Sequence, residues 1–256
     1  MFTKAIVKRP CKAITEGITS APHLGKPNYD RALRQHDSYI ATLEKCGVHV
    51  TILEADEQYP DSCFIEDTAV LMPGAAVVSN PGALARNGEK EAVARALQQF
   101  YKEKEIHAIH APGLLDGGDI MLADGCFYIG LSDRTDLEGA AQLSAIVRRQ
   151  GYDTLNVELF TMLHLKTGVN YLGDSTMLVT GEFVNNPIFD RYKKIIVPDE
   201  ESYAANCLLV NEYVIVPEGF PKTLRAVQDA GFATLLTDTS EYRKLDGGLS
   251  CLSLRF

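Results

Sequence analysis

The order of segments constrains this chain more than any single motif. A helical stretch, a short apolar strand, a polar loop and a two-strand hairpin follow one another roughly five times, about every 45 residues. The first unit has "YDRALRQHDSYIATLEKC", with Leu33, His36, Ile40 and Leu43 on one helical face and Gly47 to end it. The strand "VHVTILE", the loop "ADEQYPDSCFIED" and the hairpin "TAVLMPGAAVVSN", turned at Pro73-Gly74, complete it. "GEKEAVARALQQFYK", "IHAIHA", "PGLLDGGD" and "IMLADGCFYIGLS" repeat the order, with a turn at Asp124-Gly125. The third unit runs from "DLEGAAQLSAIVRRQ" through "DTLNVEL" and "HLKTG" to "TMLVTG". The fourth, with "NPIFDRYK" in the helix position, runs through "KIIVPDE" and "SYAANC" to "LLVNEYVIVPEG". In the fifth, "PKTLRAVQDAG", "FATLLTDT" and "EYRKLDGG" lead to the final strand "LSCLSLRF", whose hairpin partner is missing. The N-terminal "KAIVKR" is the strand available to fill that place. Units of this size cannot bury their apolar faces alone and pack on one another. A strand from the N-terminus completing the last unit closes them into a ring and removes exposed sheet edges. An open α/β sheet is the plainer alternative.

Composition narrows the function. With 46% hydrophobic and 23% charged residues the chain is an ordinary globular α/β protein, read as one domain spanning residues 1–256. Its 25 basic and 34 acidic side chains leave a net charge of −9, with no basic stripe for nucleic acid. The six cysteines fall at 11, 46, 63, 126, 207 and 251 without paired or metal-type spacing. That favours a reducing, cytoplasmic setting. No run is long enough for a membrane span, and the apolar start is too short for a signal peptide.

Four units place polar or glycine-rich residues at the same point, between the strand and the hairpin: "FIED", "LLDGGD", "LHLKTG" and "LDGGLSC". In a ring, equivalent loops face one mouth, so Cys251, His164, Glu66, Asp67 and Asp116 are expected to converge. Thiol plus imidazole is the minimum pair for nucleophilic catalysis with proton transfer in both directions. The other five histidines occupy helices, strands or the N-terminal loop. Taken alone, Cys251 reads more readily as a small apolar residue of a terminal strand, and His164 as a packed ring between two leucines. Cys11, Cys46, Cys126 and Cys207 fit the packed role better. Carboxylates near a thiol raise its pKa and offer nothing to a peptide bond. They suit a cationic substrate such as a guanidinium, whose N–H groups pair with carboxylates in fixed geometry. Asp119 reads as a turn residue more readily than Asp116. Arg86 and Arg134 each follow a hairpin, as a carboxylate clamp or as solvated surface.

The motifs "YPDSCFIED" (59–67), "LDGGD" (115–119), "HLKTG" (164–168), "AANC" (204–207) and "LDGGLSC" (245–251), in that order, resemble those of the dimethylarginine dimethylaminohydrolases of the guanidino-modifying superfamily. The resemblance spans essentially the whole chain, including "HLGKPNYD" and "SEYRKLDGG". It implies a five-bladed α/β propeller, the pentein fold, built of ββαβ units in a single guanidino-modifying domain. Cys251 matches the nucleophile, His164 the general acid/base, and Asp116 the active-site acid, where some relatives carry Glu. Asp67 would share the guanidinium with Asp116, while Asp61 and Glu66 support its polar end. Arg86 and Arg134 match the carboxylate-binding arginines, and the main-chain oxygens of Ile18 and Leu245 those that hold the α-amino group beneath a lid, "EGITSAPHLGKPNYD". Asn87 stands where some relatives have a second arginine and receives no role.

The implied reaction converts Nω-methylated arginine to citrulline through an S-alkylthiouronium on Cys251, with no metal or organic cofactor. A Cys/His pair invites adventitious zinc, but three well-spaced ligands are not evident in the sequence. The partners expected are a small cationic amino acid and, in a homodimer, a second copy of the chain; nucleic acid and membrane are not. Arginine deiminase, amidinotransferase and a non-catalytic ribosome anti-association module on the same ring are the rival readings. The first two are generally longer than this chain, and the last has no use for thiol, imidazole and acids at one mouth.

Overall fold

The computed structural model describes residues 1–256 and gathers fifteen strands into five three-stranded sheets. In chain order the strands are β1 Lys4–Lys8, β2 His49–Leu53, β3 Ala69–Met72, β4 Ala75–Val78 and β5 Ile106–Ala108. There follow β6 Ile120–Ala123, β7 Cys126–Leu131, β8 Asp153–Glu158, β9 Val169–Gly173 and β10 Thr176–Val179. The last are β11 Lys193–Ile196, β12 Leu208–Val210, β13 Tyr213–Pro217, β14 Ala233–Thr237 and β15 Leu254–Arg255. Each sheet has an antiparallel pair and a third, parallel strand returning after a crossover: β3-β4-β5, β6-β7-β8, β9-β10-β11 and β12-β13-β14. The fifth, β15-β1-β2, draws on both chain ends, with Ala5 opposite Arg255 and Ile6 opposite Leu254. The N-terminal strand therefore supplies the member missing from the last unit.

Burial explains the strand compositions. The middle strands β4, β7, β10 and β13 are almost wholly buried, which is why they read as unbroken apolar runs. The third strands, such as β2 and β8, have an exposed edge and carry polar residues. The first strands face the axis: residues of β3, β6, β9, β12 and β15 together line one cavity of about 190 Å³. A cavity walled by all five sheets is the mark of a five-bladed propeller.

The helices are α1 Tyr29–Lys45, α2 Lys90–Leu97, α3 Leu137–Arg149, α4 Leu165–Gly168, α5 Pro221–Asp229 and α6 Ser240–Arg243. Side-chain caps fix two starts: Asn28 accepts from the Arg31 N–H, and Asp136 from the Gly139 N–H. On α1 the buried stripe is Ala32, Gln35, His36, Tyr39, Ile40 and Leu43, while Leu33 lies at its border. The fourth unit departs from the expected pattern. Its crossover has no α-helix, only 3₁₀ turns at Gly181–Phe183 and Pro187–Phe189. Pro187 and the shortness of the segment leave no room to propagate a helix, and burial of Phe183 and Phe189 anchors the turns instead. A second departure bears on the site. Cys251 lies in a 3₁₀ turn, Ser250–Leu252, just ahead of β15 rather than within an alternating strand.

Candidate active site

At one end of the ring, a short turn precedes each first strand: Ile65–Thr68 before β3, Gly117–Asp119 before β6, α4 before β9, Asp199–Ala205 before β12 and Ser250–Leu252 before β15. Four of these hold or adjoin the chemical groups: Asp67, Asp116, His164 and Cys251. The bare backbone of Gly118 is what lets two of them meet. Its N–H donates to Asp67 Oδ1 at 2.9 Å, and a Cβ there would lie 2.8 Å from both that oxygen and His164 Nδ1.

A cavity of about 160 Å³ opens at this end. Cys251, His164, Asp67 and Phe64 line it with Arg86 and Arg134, and so do the lid residues Ile18, Thr19 and Ser20 together with Asp61, Leu245 and Asp246. Cys251 is the only one of the six cysteines that is not buried. Cys251 and His164 also border a second, smaller cavity of about 40 Å³ with Glu66, Lys166 and Ser250.

His164 Nε2 lies 3.0 Å from Asp116 Oδ2, leaving the other ring nitrogen to exchange a proton. Asp116 is fully buried; its Oδ1 accepts from the Gly82 N–H and its backbone N–H donates to Thr135 Oγ1. Its carboxylate therefore stands behind the imidazole as an orienting group, and Asp67 is the acid of the pair that borders the cavity. Asp119 is more than the turn residue it resembles. It accepts from Ser132 Oγ, Thr135 Oγ1 and the Leu165 N–H, which fixes the turn carrying His164.

Burial opposes a charged His164, but Asp67, Asp119 and the bonded Asp116 outweigh it and lift the imidazole to about 9. Asp67 is held below the usual carboxylate range: burial opposes its ionisation, and His164, Arg86 and the Gly118 N–H overcome that. Burial pushes the Cys251 thiol up to about 12, helped by Glu66 and Asp67 and opposed by the Gly248 N–H and Lys166. The resting pair at neutral pH is therefore thiol and imidazolium.

Two expected binding residues are placed differently from their sequence reading. Glu66 turns away from the mouth cavity. It accepts from Ser250 Oγ at 2.6 Å and pairs with Lys166 and Arg255, so it braces the turn that presents Cys251. Arg86 is buried and largely committed. Its guanidinium pairs with Glu89 and Asp67 and donates to the Phe64 carbonyl, which leaves one Nη1 N–H free. Arg134 is freer: it is partly exposed, and its one ion-pair partner is Asp116 at 3.7 Å. Asp61 accepts from the Ile18 N–H, and Gly17 packs against Leu245 and Asp61, so the lid-side residues do meet the body of the protein.

Asp67, Asp116 and His164 bring three ligand-type atoms within 4.8 Å of one another, a convergence the spacing did not reveal. Asp67 and Asp116 are engaged by the bonds above, and His164 by its bond to Asp116. Sequence reading passed over Asp246, Lys166 and Ser250, although all three lie inside the quoted motifs, and over Glu89. No helix is long and apolar enough to cross a membrane.

A family model described as eukaryotic N,N dimethylarginine dimethylhydrolase matches residues 23–204. The chain is 46% identical over 256 residues to the N(G),N(G)-dimethylarginine dimethylaminohydrolase of Pseudomonas aeruginosa, with 100% of both covered. The protein of the same name from Streptomyces coelicolor is 31% identical over 252 residues, 98% of this chain and 96% of that one. Among solved structures, the Pseudomonas aeruginosa enzyme as a cysteine-to-serine mutant complexed with citrulline superposes with a TM-score of 0.98, at 46% identity and 100% of both chains. A dimethylarginine dimethylaminohydrolase adduct with S-methyl-L-thiocitrulline gives 0.97 at the same identity and coverage. The N-terminal domain of ArgZ, an arginine dihydrolase from cyanobacteria, shares the fold at 0.87 with 18% identity, covering 100% of this chain and 97% of that one. With its sequence matched from end to end and its five sheets superposed, the chain belongs to the dimethylarginine dimethylaminohydrolase family.

Proposed function

We propose that this protein, with residues 1–256 as one catalytic domain, hydrolyses Nω-methylated arginines to citrulline and methylamine or dimethylamine. The observation that carries the reading is the partly exposed Cys251 sharing one cavity with His164, an imidazole held charged by Asp67, Asp119 and Asp116.

The site suits a cation. Asp67 supplies a carboxylate for the unsubstituted side of a guanidinium, Arg134 and the remaining N–H of Arg86 suit an α-carboxylate, and the carbonyls of Ile18 and Leu245 suit an α-ammonium. A bound guanidinium offsets the anions that hold the Cys251 proton, so the thiolate forms when substrate arrives and its proton leaves to solvent. The thiolate forms an S–C bond to the central guanidinium carbon. His164 gives its proton to the methylated nitrogen, the C–N bond breaks and the amine departs, leaving a cationic thiouronium. Neutral His164 then takes a proton from water, the oxygen bonds to the carbon, and the C–S bond breaks as the remaining hydroxyl proton leaves to solvent, which returns the thiolate and releases citrulline. Asp67 keeps the positive charge localised through both steps.

Citrulline formation from asymmetric dimethylarginine and monomethylarginine, with free arginine as the competing substrate and Cys251→Ser as control, tests the reading. Turnover of arginine but not of its methylated forms would point to a deiminase. With S-methyl-L-thiocitrulline, whose sulfur leaving group departs without the imidazole proton, His164→Gly should form the thiouronium and stall, with the added mass on Cys251; added mass on Cys63 would refute the assignment.

A further inference from the structure

The reaction uses Cys251, His164 and the acids around them, and leaves Asp246 without a task. Yet Asp246 borders both cavities that meet at Cys251. Its carboxylate reaches across to the lid: Oδ2 accepts from the Ser20 backbone N–H at 2.5 Å, and Oδ1 from Ser20 Oγ at 2.9 Å. The lid has one other side-chain anchor beside the cavity, Asp61, which accepts from the Ile18 N–H at 3.1 and 3.2 Å. Residues 18 and 20 are thus pinned by two carboxylates from different parts of the ring, and Thr19 between them borders the cavity.

The two halves of this contact differ in rigidity. Ser20 is exposed and belongs to a run of exposed residues. Asp246 is held in a left-handed backbone conformation, φ 60°, and the next two glycines leave no room for a side chain. A Cβ on Gly247 would lie 2.1 Å from the Phe64 ring, and one on Gly248 would lie 2.5 Å from the Asn206 side chain. The same rigid bend sends the Gly248 N–H to Cys251 Sγ at 3.4 Å. One short loop therefore holds the lid with its first residue and the nucleophile with its third.

We infer that Asp246 is a positioning residue for the reaction: a fixed latch whose carboxylate grips Ser20 and keeps the lid shut over substrate while the loop it starts holds Cys251. It acts through Ser20 and touches no reacting atom. The inference rests on the site reading above and deepens it. It explains why both lid anchors are carboxylates, since each accepts main-chain N–H groups and adds negative charge beside the place of a cationic amino acid.

The test is a cycle of Asp246→Ala, Ser20→Ala and the double variant, with Asp246→Asn and Ser20→Pro alongside. Two measurements are made: steady-state methylarginine turnover, and the rate at which iodoacetamide alkylates Cys251 at alkaline pH with and without saturating citrulline. Asp246→Ala should raise KM about tenfold, more than it lowers kcat, and should remove most of the protection citrulline gives Cys251. Asp246→Asn, with one acceptor oxygen left, should recover part of both losses. Ser20→Pro, which removes the N–H and the hydroxyl from an exposed position, should reproduce the Asp246→Ala phenotype without threatening the fold. The double variant should be no worse than Asp246→Ala alone. Additive effects, or unchanged protection in Ser20→Pro, would overturn the latch. Failure of citrulline to protect Cys251 in the unaltered protein would instead count against the site reading, so the two failures can be told apart.

Discussion

Cys207 and Cys251 both lie ahead of the first strand of a blade, Cys207 directly before β12 and Cys251 inside the turn that leads to β15, and nothing about the residue type separates them. The difference lies in what the sulfur touches. Cys207 is 1% exposed and donates its S–H to the Ala204 carbonyl at 3.1 Å, a contact that exists only for the protonated thiol. Cys251 borders the cavity and accepts the Gly248 N–H, a contact that strengthens when the sulfur is an anion. Burial raises both thiols, but only Cys251 has a backbone donor and a lysine working in the opposite direction. The two arginines divide the same way: both border the cavity, but Arg86 is buried and largely paired, while Arg134 has most of its donors free. In this ring a reactive group is made by where the turn points it, and the same residue one blade away is structural.

The largest effect expected from breaking this contrast is on turnover. Cys251→Ser should lower kcat by on the order of 10⁴-fold or more, whereas Cys207→Ser should leave turnover within about twofold. At alkaline pH, iodoacetamide should label Cys251 in the folded protein and Cys207 only after denaturant, read by peptide mapping. Exchanging the roles of the arginines gives the next effect. Arg86→Ala should destabilise the fold by about 3–5 kcal/mol, because Asp67 and Glu89 are left buried without their cation; denaturant unfolding measures it. Arg134→Ala should leave stability nearly untouched and raise KM by about tenfold, the loss of one charge-assisted contact; an unchanged KM would remove Arg134 from the site. The smallest effect concerns His164. Its folded pKa of about 9 exceeds its ordinary value, so it contributes stability that is fully present below about 6.5 and fades as pH rises through about 9. The difference in melting temperature between the unaltered protein and His164→Gln should shrink over that interval, and turnover should fall across it as the imidazolium is lost.

The blade pattern was legible because hairpins declare themselves locally. Asp124 and Gly125 take φ 46° and 79°, the pair of left-handed residues that such a turn demands and that Asp-Gly supplies. The meeting of Cys251 and His164 in one cavity was legible because the repeat places their loops at one end of the ring. The missing fourth helix was not, since burial of Phe183 and Phe189 decides that crossover and a short segment carries no periodicity of its own. Nor were the directions of Glu66 and Arg86, since a side chain's heading depends on partners drawn from other blades. Ser250, Lys166 and Arg255 for Glu66, and Asp67 and Glu89 for Arg86, become neighbours only after the ring closes. Asp246 was hidden by its own motif, where an acid before two glycines reads as turn chemistry.

The central claim is that Cys251 rests as a thiol and becomes a thiolate when a cation occupies the cavity. Thiolate absorbance, taken as the difference between the unaltered protein and Cys251→Ser, measures that state directly. The expected result is no thiolate signal at neutral pH in the free protein and a signal of one thiolate per chain when a non-reacting guanidinium amino acid saturates the site. A full thiolate signal without ligand, or none with it, would contradict the claim.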